Sequence, residues 1–391
     1  MTINHSHRSA GVTLIELLVA LAIGAVLMLG LVQVFAASRS AYQMSEGMAR
    51  VQENSRFAMD FIQRDLRMAG HFGCSTDQAH MLDDSSAGID RIALHFAAPI
   101  DFPLDFNVSI QGYEAAGTAP GDDVVLGAAE GAWAPELPPE VAGLEPLPGS
   151  DILVLRYLYG EGVPVDALAA DAGQTTITIA PARWDVLTEG GHASPELFAL
   201  SDCHRADVFL AAGAAAVNPA AGTVVTDSED VGLRYDASDD GTGAYAEGQL
   251  RLFRAESIVY YVGTGTSGRP ALFRARSDGG AYQPMELVEG IESMQALFGR
   301  DTSATGPRGY VTAHDTAETL DVDADEWLRV GMVQVGFLAR SPDRALADAA
   351  SDPDRYPNVL GVRFDPTEID DANYRSAYEV TVALRNRLFG N

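Results

Sequence analysis

From Leu17 to Phe35 the chain carries no charge, and the surrounding apolar stretch, Val12 to Ala37, holds a single acid, Glu16. About 20 apolar residues suffice to cross a bilayer as a helix, so the pattern predicts a membrane helix over 12–37. An acid inside such a span costs a few kcal/mol when unpaired and therefore implies a partner. The helix is not expected to stop at the membrane. Ser38 to Met68 lacks proline and has one glycine, Gly47. Met44, Met48, Val51, Ser55, Ala58, Ile62 and Leu66 recur at spacings of three and four, one stripe of an amphipathic helix. Glu46, Gln52, Glu53, Asp60, Arg64 and Asp65 occupy much of the remainder. Gly70 and Gly73 are stop signals. A continuous helix from Val12 to Leu66 would be about 80 Å long at ~1.5 Å per residue. Its stripe should pack on the chain's own head, with an oligomer interface as the second use.

Beyond residue 75 the pattern changes to short strands and loops. Asp151–Tyr159, Thr175–Ile179, Leu250–Val262, Gly331–Leu338 and Tyr378–Leu384 read as strands, rich in β-branched and aromatic residues. The proline-rich stretch from Trp133 to Pro148 reads as a loop or linker, and Asp343 to Ala350 as a helical turn or a loop insertion. The expected fold class is α+β: a long N-terminal helix laid on a mainly antiparallel sheet, with long insertions. The organisation would be a polar leader over 1–11, a membrane helix over 12–37, an amphipathic continuation over 38–69 and a β-rich head over 70–391.

The N-terminal pattern, Gly11-Val-Thr-Leu-Ile-Glu16 after a leader containing Arg8, resembles the class III signal of type IV pilins and pseudopilins. The resemblance implies cleavage between Gly11 and Val12 by a prepilin peptidase and N-methylation of Val12. It gives Glu16 the task of neutralising an N-terminal ammonium as subunits enter a filament. Val12 departs from the Phe of most major pilins, which favours a minor pilin. A plain membrane anchor would leave Glu16 unexplained. A secretory signal cut after Ala36 would have too long an apolar core. Further segments narrow the resemblance to PilW-type minor pilins: Arg56 to Cys74 with its Ala-Gly-x-x-Gly-Cys ending, Ser201 to Phe209, Trp327 to Ser341 and Val380 to Arg387. Residues 80–150 and 210–248 resemble nothing nameable. Membership would imply a subunit of the inner membrane, head in the periplasm and later on the pilus surface. Its partners would be other minor pilins, a tip adhesin subunit and the major pilin. A minor pseudopilin of a type II secretion system is the alternative within the superfamily; a membrane-anchored periplasmic enzyme or binding protein is the alternative outside it.

Composition mainly excludes. The formal net charge is −29 over 391 residues, and all 26 basic residues are arginine. So acidic a surface repels phosphate backbones and argues against nucleic-acid binding. Without lysine there is no P-loop or Schiff-base chemistry. The two cysteines, Cys74 and Cys203, suggest a disulfide in an exported chain. Gly263-Thr-Gly-Thr-Ser-Gly268 satisfies a dinucleotide fingerprint, but Arg269-Pro270 and a strand follow where a helix should begin, so it reads as a hairpin turn. Asp321, Asp323, Asp325 and Glu326 could supply several oxygens to calcium. That loop lacks the glycine and distal glutamate of an EF-hand, and a solvated acidic loop is the competing reading. No histidine pair has metal-ligand spacing and no nucleophile elbow occurs, so neither an enzyme nor a resident cofactor is expected.

Overall fold

The computed structural model describes residues 13–73, 75–76, 93–95, 102–171, 173–202, 205–227, 250–277, 280–303, 310–320, 324–346, 356–369 and 371–387. Helix α1, Leu14–Met68, is continuous over 55 residues. It ends where the sequence reading placed it: Ala69 leaves helical geometry and Gly70 adopts a φ of 72°, in the left-handed region.

The principal strands are β1 (Ile110–Ala115), β2 (Ile152–Asp171), β3 (Gln174–Ile179), β4 (Leu197–Ser201), β5 (Arg205–Leu210), β6 (Thr223–Asp227), β7 (Arg251–Thr264), β8 (Pro270–Ser277), β9 (Gln283–Glu289), β10 (Ile291–Arg300), β11 (Val330–Arg344) and β12 (Asn373–Ala383). The long strands β2 and β7 pair antiparallel, Leu155 opposite Ile258, and form the spine of the larger sheet. The spine branches. At one end β1 joins β2, and β8 and β9 extend β7. At the other end β3 and β6 extend β2, and β4 and β5 extend β7. The two regimes meet at a bulge between Leu252 and Arg254. There Gly162, at a φ of 65°, passes so close to the Phe253 ring that a Cβ would collide. A second sheet, β10–β11–β12, is antiparallel throughout. Two short parallel pairs occur among the described residues: 205–207 with 93–95, and 363–365 with 123–125.

Side-chain alternation explains how the layers stack. Leu153, Leu155 and Tyr157 of β2 and Ile258, Tyr260 and Val262 of β7 face one core. That core also takes Val51, Ala58, Met59, Ile62 and Leu66 of α1, and Val333, Val335 and Phe337 of β11. The helix is thus seated on both sheets. Ile152, Val154, Val259 and Tyr261 point the other way, into a second core closed by Val141 and flanked by Trp133, Leu137 and Leu144. The proline-rich 133–148 stretch is therefore a cover for the far face of the spine rather than a linker. Trp184 and Trp327 are buried, as expected of core residues, and Trp133 donates Nε1–H to Ser150 O. The Gly263–Gly268 stretch joins β7 to β8 as a hairpin turn, closed by the Gly268 amide on Gly265 O at 2.9 Å.

Candidate functional site

The site is α1 itself, which passes through two environments. From Leu14 to Phe35 its large apolar residues are solvent-exposed in the isolated chain, Leu14 at 77% and Phe35 at 71%. None of its most apolar window is covered by the other described residues. This half has the length and composition to cross a membrane, and nothing among the described residues covers it.

Its N-terminus is built by Thr13 and Glu16 as a capping box. The Glu16 amide donates to Thr13 Oγ1 at 3.3 Å, and the Thr13 amide donates back to Glu16 Oε2 at 3.3 Å. The Thr13 hydroxyl donates to the same carboxylate oxygen at 3.1 Å. The acid thus lies beside the helix's first amide groups, where the helix dipole favours negative charge. Gly11 and Val12 lie outside the described residues.

From Gly47 onward the helix is seated in the head. A Cβ on Gly47 would stand 2.6 Å from Ala345 Cβ, so only glycine allows β11 and its continuation to approach this closely. The buried stripe begins here rather than at Met44, which stays 42% exposed. Asn54 donates Nδ2–H to Glu289 O at 2.9 Å. Asp65, which the sequence pattern places on the polar side, is only 6% exposed. It accepts from Tyr157 Oη at 3.0 Å, Tyr260 Oη at 2.6 Å and Arg274 Nε at 2.8 Å. Burial, and then the Asp65 charge, holds both tyrosine hydroxyls well above their ordinary pKa. Burial alone would lower Arg274, but Asp65 together with Tyr157, Tyr260 and Glu256 outweighs it and the net shift is upward. The signal that could have found Asp65 is its phase. It stands three residues after Ile62 and seven after Ala58, inside the buried stripe.

The far end of α1 is closed by the C-terminal segment. Asn386 donates Nδ2–H towards the carbonyls of Arg67, Met68 and Ala69 at 3.1–3.4 Å, groups left without helical partners. Arg387, 1% exposed, donates to Trp327 O and, at 2.6 Å, to Ser109 Oγ. Leu384 is fully buried in the helix's own core.

Of the remaining predicted residues, Cys74 and Cys203 lie outside the described residues, as do Asp321 and Asp323 and the side chain of Asp325. The segments flanking the cysteines do meet: Ser201 Oγ donates to Phe72 O at 2.6 Å. Glu326 is ion-paired with Arg300, which also holds Asp315. Among the described residues no cluster of three His, Cys, Asp or Glu is arranged to hold a metal.

Comparison with known proteins bears on both ends of this helix-and-seat arrangement. Residues 6–32 match the model of the prokaryotic N-terminal methylation motif. Residues 259–386 match the model described as type IV pilus-assembly protein W. The chain carries the N-terminal motif and the head region of PilW-type type IV pilus minor pilins. The matched C-terminal region contains Tyr260, Arg274 and Asn386, three of the groups that hold the stem. No curated protein matches it significantly. Among solved structures, a type IV-like pilin from Thermus thermophilus is 16% identical over 34% of this chain and 67% of its own, with a TM-score of 0.21. An overlap this small carries no argument of its own.

Proposed function

We propose that this pilin is made as a precursor held in the inner membrane by a single pass of α1, with its head in the periplasm. A prepilin peptidase cuts between Gly11 and Val12, and Val12 is N-methylated. The mature subunit then joins a priming or tip complex with other minor pilins, the tip adhesin subunit and the major pilin. Its work is structural rather than enzymatic. The observation that carries the reading is the division of one helix into a bare apolar half and a half locked into the head. Such a stem can leave lipid for a bundle of similar stems while the head stays folded. Close helix approach in lipid favours small residues at the interface; Ala20 and Gly24 have that spacing, and apart from the helix's own backbone no described residue lies within 4 Å of the Cβ position at Gly24. Glu16 sets register by presenting its carboxylate at the helix N-terminus, where an ammonium arrives. A Cys74–Cys203 disulfide would tie the end of the stem to the head, in keeping with the Ser201–Phe72 contact.

The test is mass spectrometry of the N-terminal peptide from membranes and from sheared surface filaments. A chain beginning at methylated Val12 in the filament fraction is expected. A chain beginning at Met1 in both fractions, or at Ala37, would overturn the reading.

A further inference from the structure

The larger sheet and the C-terminal sheet are joined at a seam where two carboxyl groups are buried together. Glu114, in β1, is 4% exposed, and Asp151, just before β2, is 2% exposed. Asp151 is well supplied with donors. Oδ1 accepts from the Ala115 amide at 2.9 Å, and Oδ2 accepts from the Ala296 amide of β10 at 2.9 Å. Its own amide donates to Met294 O at 2.8 Å, and neighbouring Ser150 Oγ accepts from the Met294 amide at 3.0 Å. Asp151 therefore ties the start of the spine to the other sheet through main-chain atoms on both sides.

Glu114 has a poorer shell. Thr118 Oγ1 is 3.5 Å from its Oε1, but that hydroxyl has one proton and lies 2.7 Å from Ala115 O. Its other oxygen, Oε2, meets no donor in good hydrogen-bond geometry among the described residues. The groups facing the pair come from four elements. β1 and the turn after it supply Thr118 and the Ala115 amide; β10 supplies the Ala296 amide. The helical turn Ala317–Leu320 supplies the Ala317 amide and the exposed acid Glu318, and β2 begins at Asp151 itself. Among the described residues no arginine pairs with either carboxyl. Two ionised carboxylates at such a place would each lack a counter-charge.

Burial raises both acids, but the Ala115 and Ala296 amides hold Asp151 to about 7, so Asp151 gives up its proton before Glu114 does. A buried carboxylate accepting several amide hydrogens is the easier one to ionise, and the one with fewer donors keeps the proton. We propose that Glu114 and Asp151 share one proton and act as a pH-sensitive clasp between the two sheets, shut when Glu114 is protonated and loosened when that proton is lost. The clasp bears on the stem's seat. Gly112 of β1 lies so close to the Phe298 ring that a Cβ would stand 2.4 Å from it, and Phe298 belongs to the core under α1. Separation at the seam would uncover that ring.

Burial first, and then the Asp151 charge, pushes Glu114 up from 4.5 to about 10. A group raised in the folded state contributes stability that is full below its unfolded pKa and lost as pH rises towards its folded one. The sensitive window thus runs from about pH 4.5 to about pH 10.

The experiment compares thermal unfolding of the full-length protein in detergent with that of Glu114→Gln across this window. Glutamine matches the protonated acid in shape and cannot ionise. The wild-type unfolding constant should rise with pH more steeply than the variant's, by up to about tenfold per pH unit. Parallel profiles would overturn the proposal. Should the glutamine variant fail to fold, infrared difference spectra of the wild type decide. A protonated-carboxyl carbonyl band present at neutral pH and lost in alkali supports the clasp; its absence at neutral pH overturns it.

Discussion

Asp65 offers the sharpest test of how stem and head are joined. The change is Asp65→Ala. It removes the acceptor for two buried hydroxyls and one guanidinium, at 3.0, 2.6 and 2.8 Å. The Asp65 and Arg274 side chains are 9% and 12% exposed, so water reaches the orphaned groups poorly. Breaking a buried ion pair by deleting one partner costs about 3–5 kcal/mol, because the other charge stays buried. Each stranded hydroxyl adds about 1–3 kcal/mol when taken alone, but the three groups share one acceptor and their losses do not sum. A loss of about 4 kcal/mol is expected, roughly a thousandfold in the unfolding constant. The assay is urea unfolding of the full chain in detergent, followed by the fluorescence of Trp184 and Trp327. The double variant Asp65→Leu with Arg274→Met removes both charges and should recover part of the loss. A cost below about 1 kcal/mol for Asp65→Ala, or a double variant no better than the single, would refute the reasoning. The pH sign follows from the tyrosines. Both are raised above the ordinary value of 10.0, so their contribution is whole below pH 10 and declines above it, where unfolded tyrosines ionise first.

Other outcomes follow from the same geometry. Gly47→Leu should loosen the lower seat by about 1–3 kcal/mol, the usual cost of overpacking, read as a drop in Tm; an unchanged Tm would show that Ser341 and Ala345 yield freely. Glu16→Ala should leave membrane insertion intact but reduce surface pili, counted by electron microscopy, whereas normal piliation would remove the registry argument. Cys74→Ser should destabilise the head by up to about 4–5 kcal/mol if the loop to Cys203 is closed; equal stability with and without reductant would show that it is open. Millimolar calcium should raise the Tm if the acidic loop around Asp321 binds it, and the absence of a shift would count against that site.

The helix was legible because its signals repeat. A long apolar run, the absence of proline and a three-four stripe all agree over 14–68, and the glycine at 70 ends it. The strands were legible as segments but not as an architecture. Nothing in Asp151–Tyr159 announces that β2 runs on to Asp171 and changes neighbours half-way, because a branch is set by packing on residues far away in sequence. The proline-rich 133–148 stretch looked like a connection, yet its Trp133, Leu137 and Val141 close a core face. Composition also hid the buried acids. In a chain with 55 carboxylates, Asp65, Glu114 and Asp151 cannot be told from solvated neighbours by type. Phase along the helix singles out Asp65 in retrospect, but the other two gain their meaning from strand pairing alone.

Asn386 has a consequence for the order in which the molecule is made. It closes the end of a helix whose residues precede it by as many as 319 positions. During synthesis the stem emerges long before the groups that seal its upper end. Until then the stripe from Val51 to Leu66 has no complete partner, because β11 and β12 also come late. A head missing this final stretch would present an uncovered apolar helix face beside an open sheet, the kind of surface that chaperones and proteases act on. The arrangement thus works as an inspection step: only a chain synthesised through Arg387 can hide its stem's upper half.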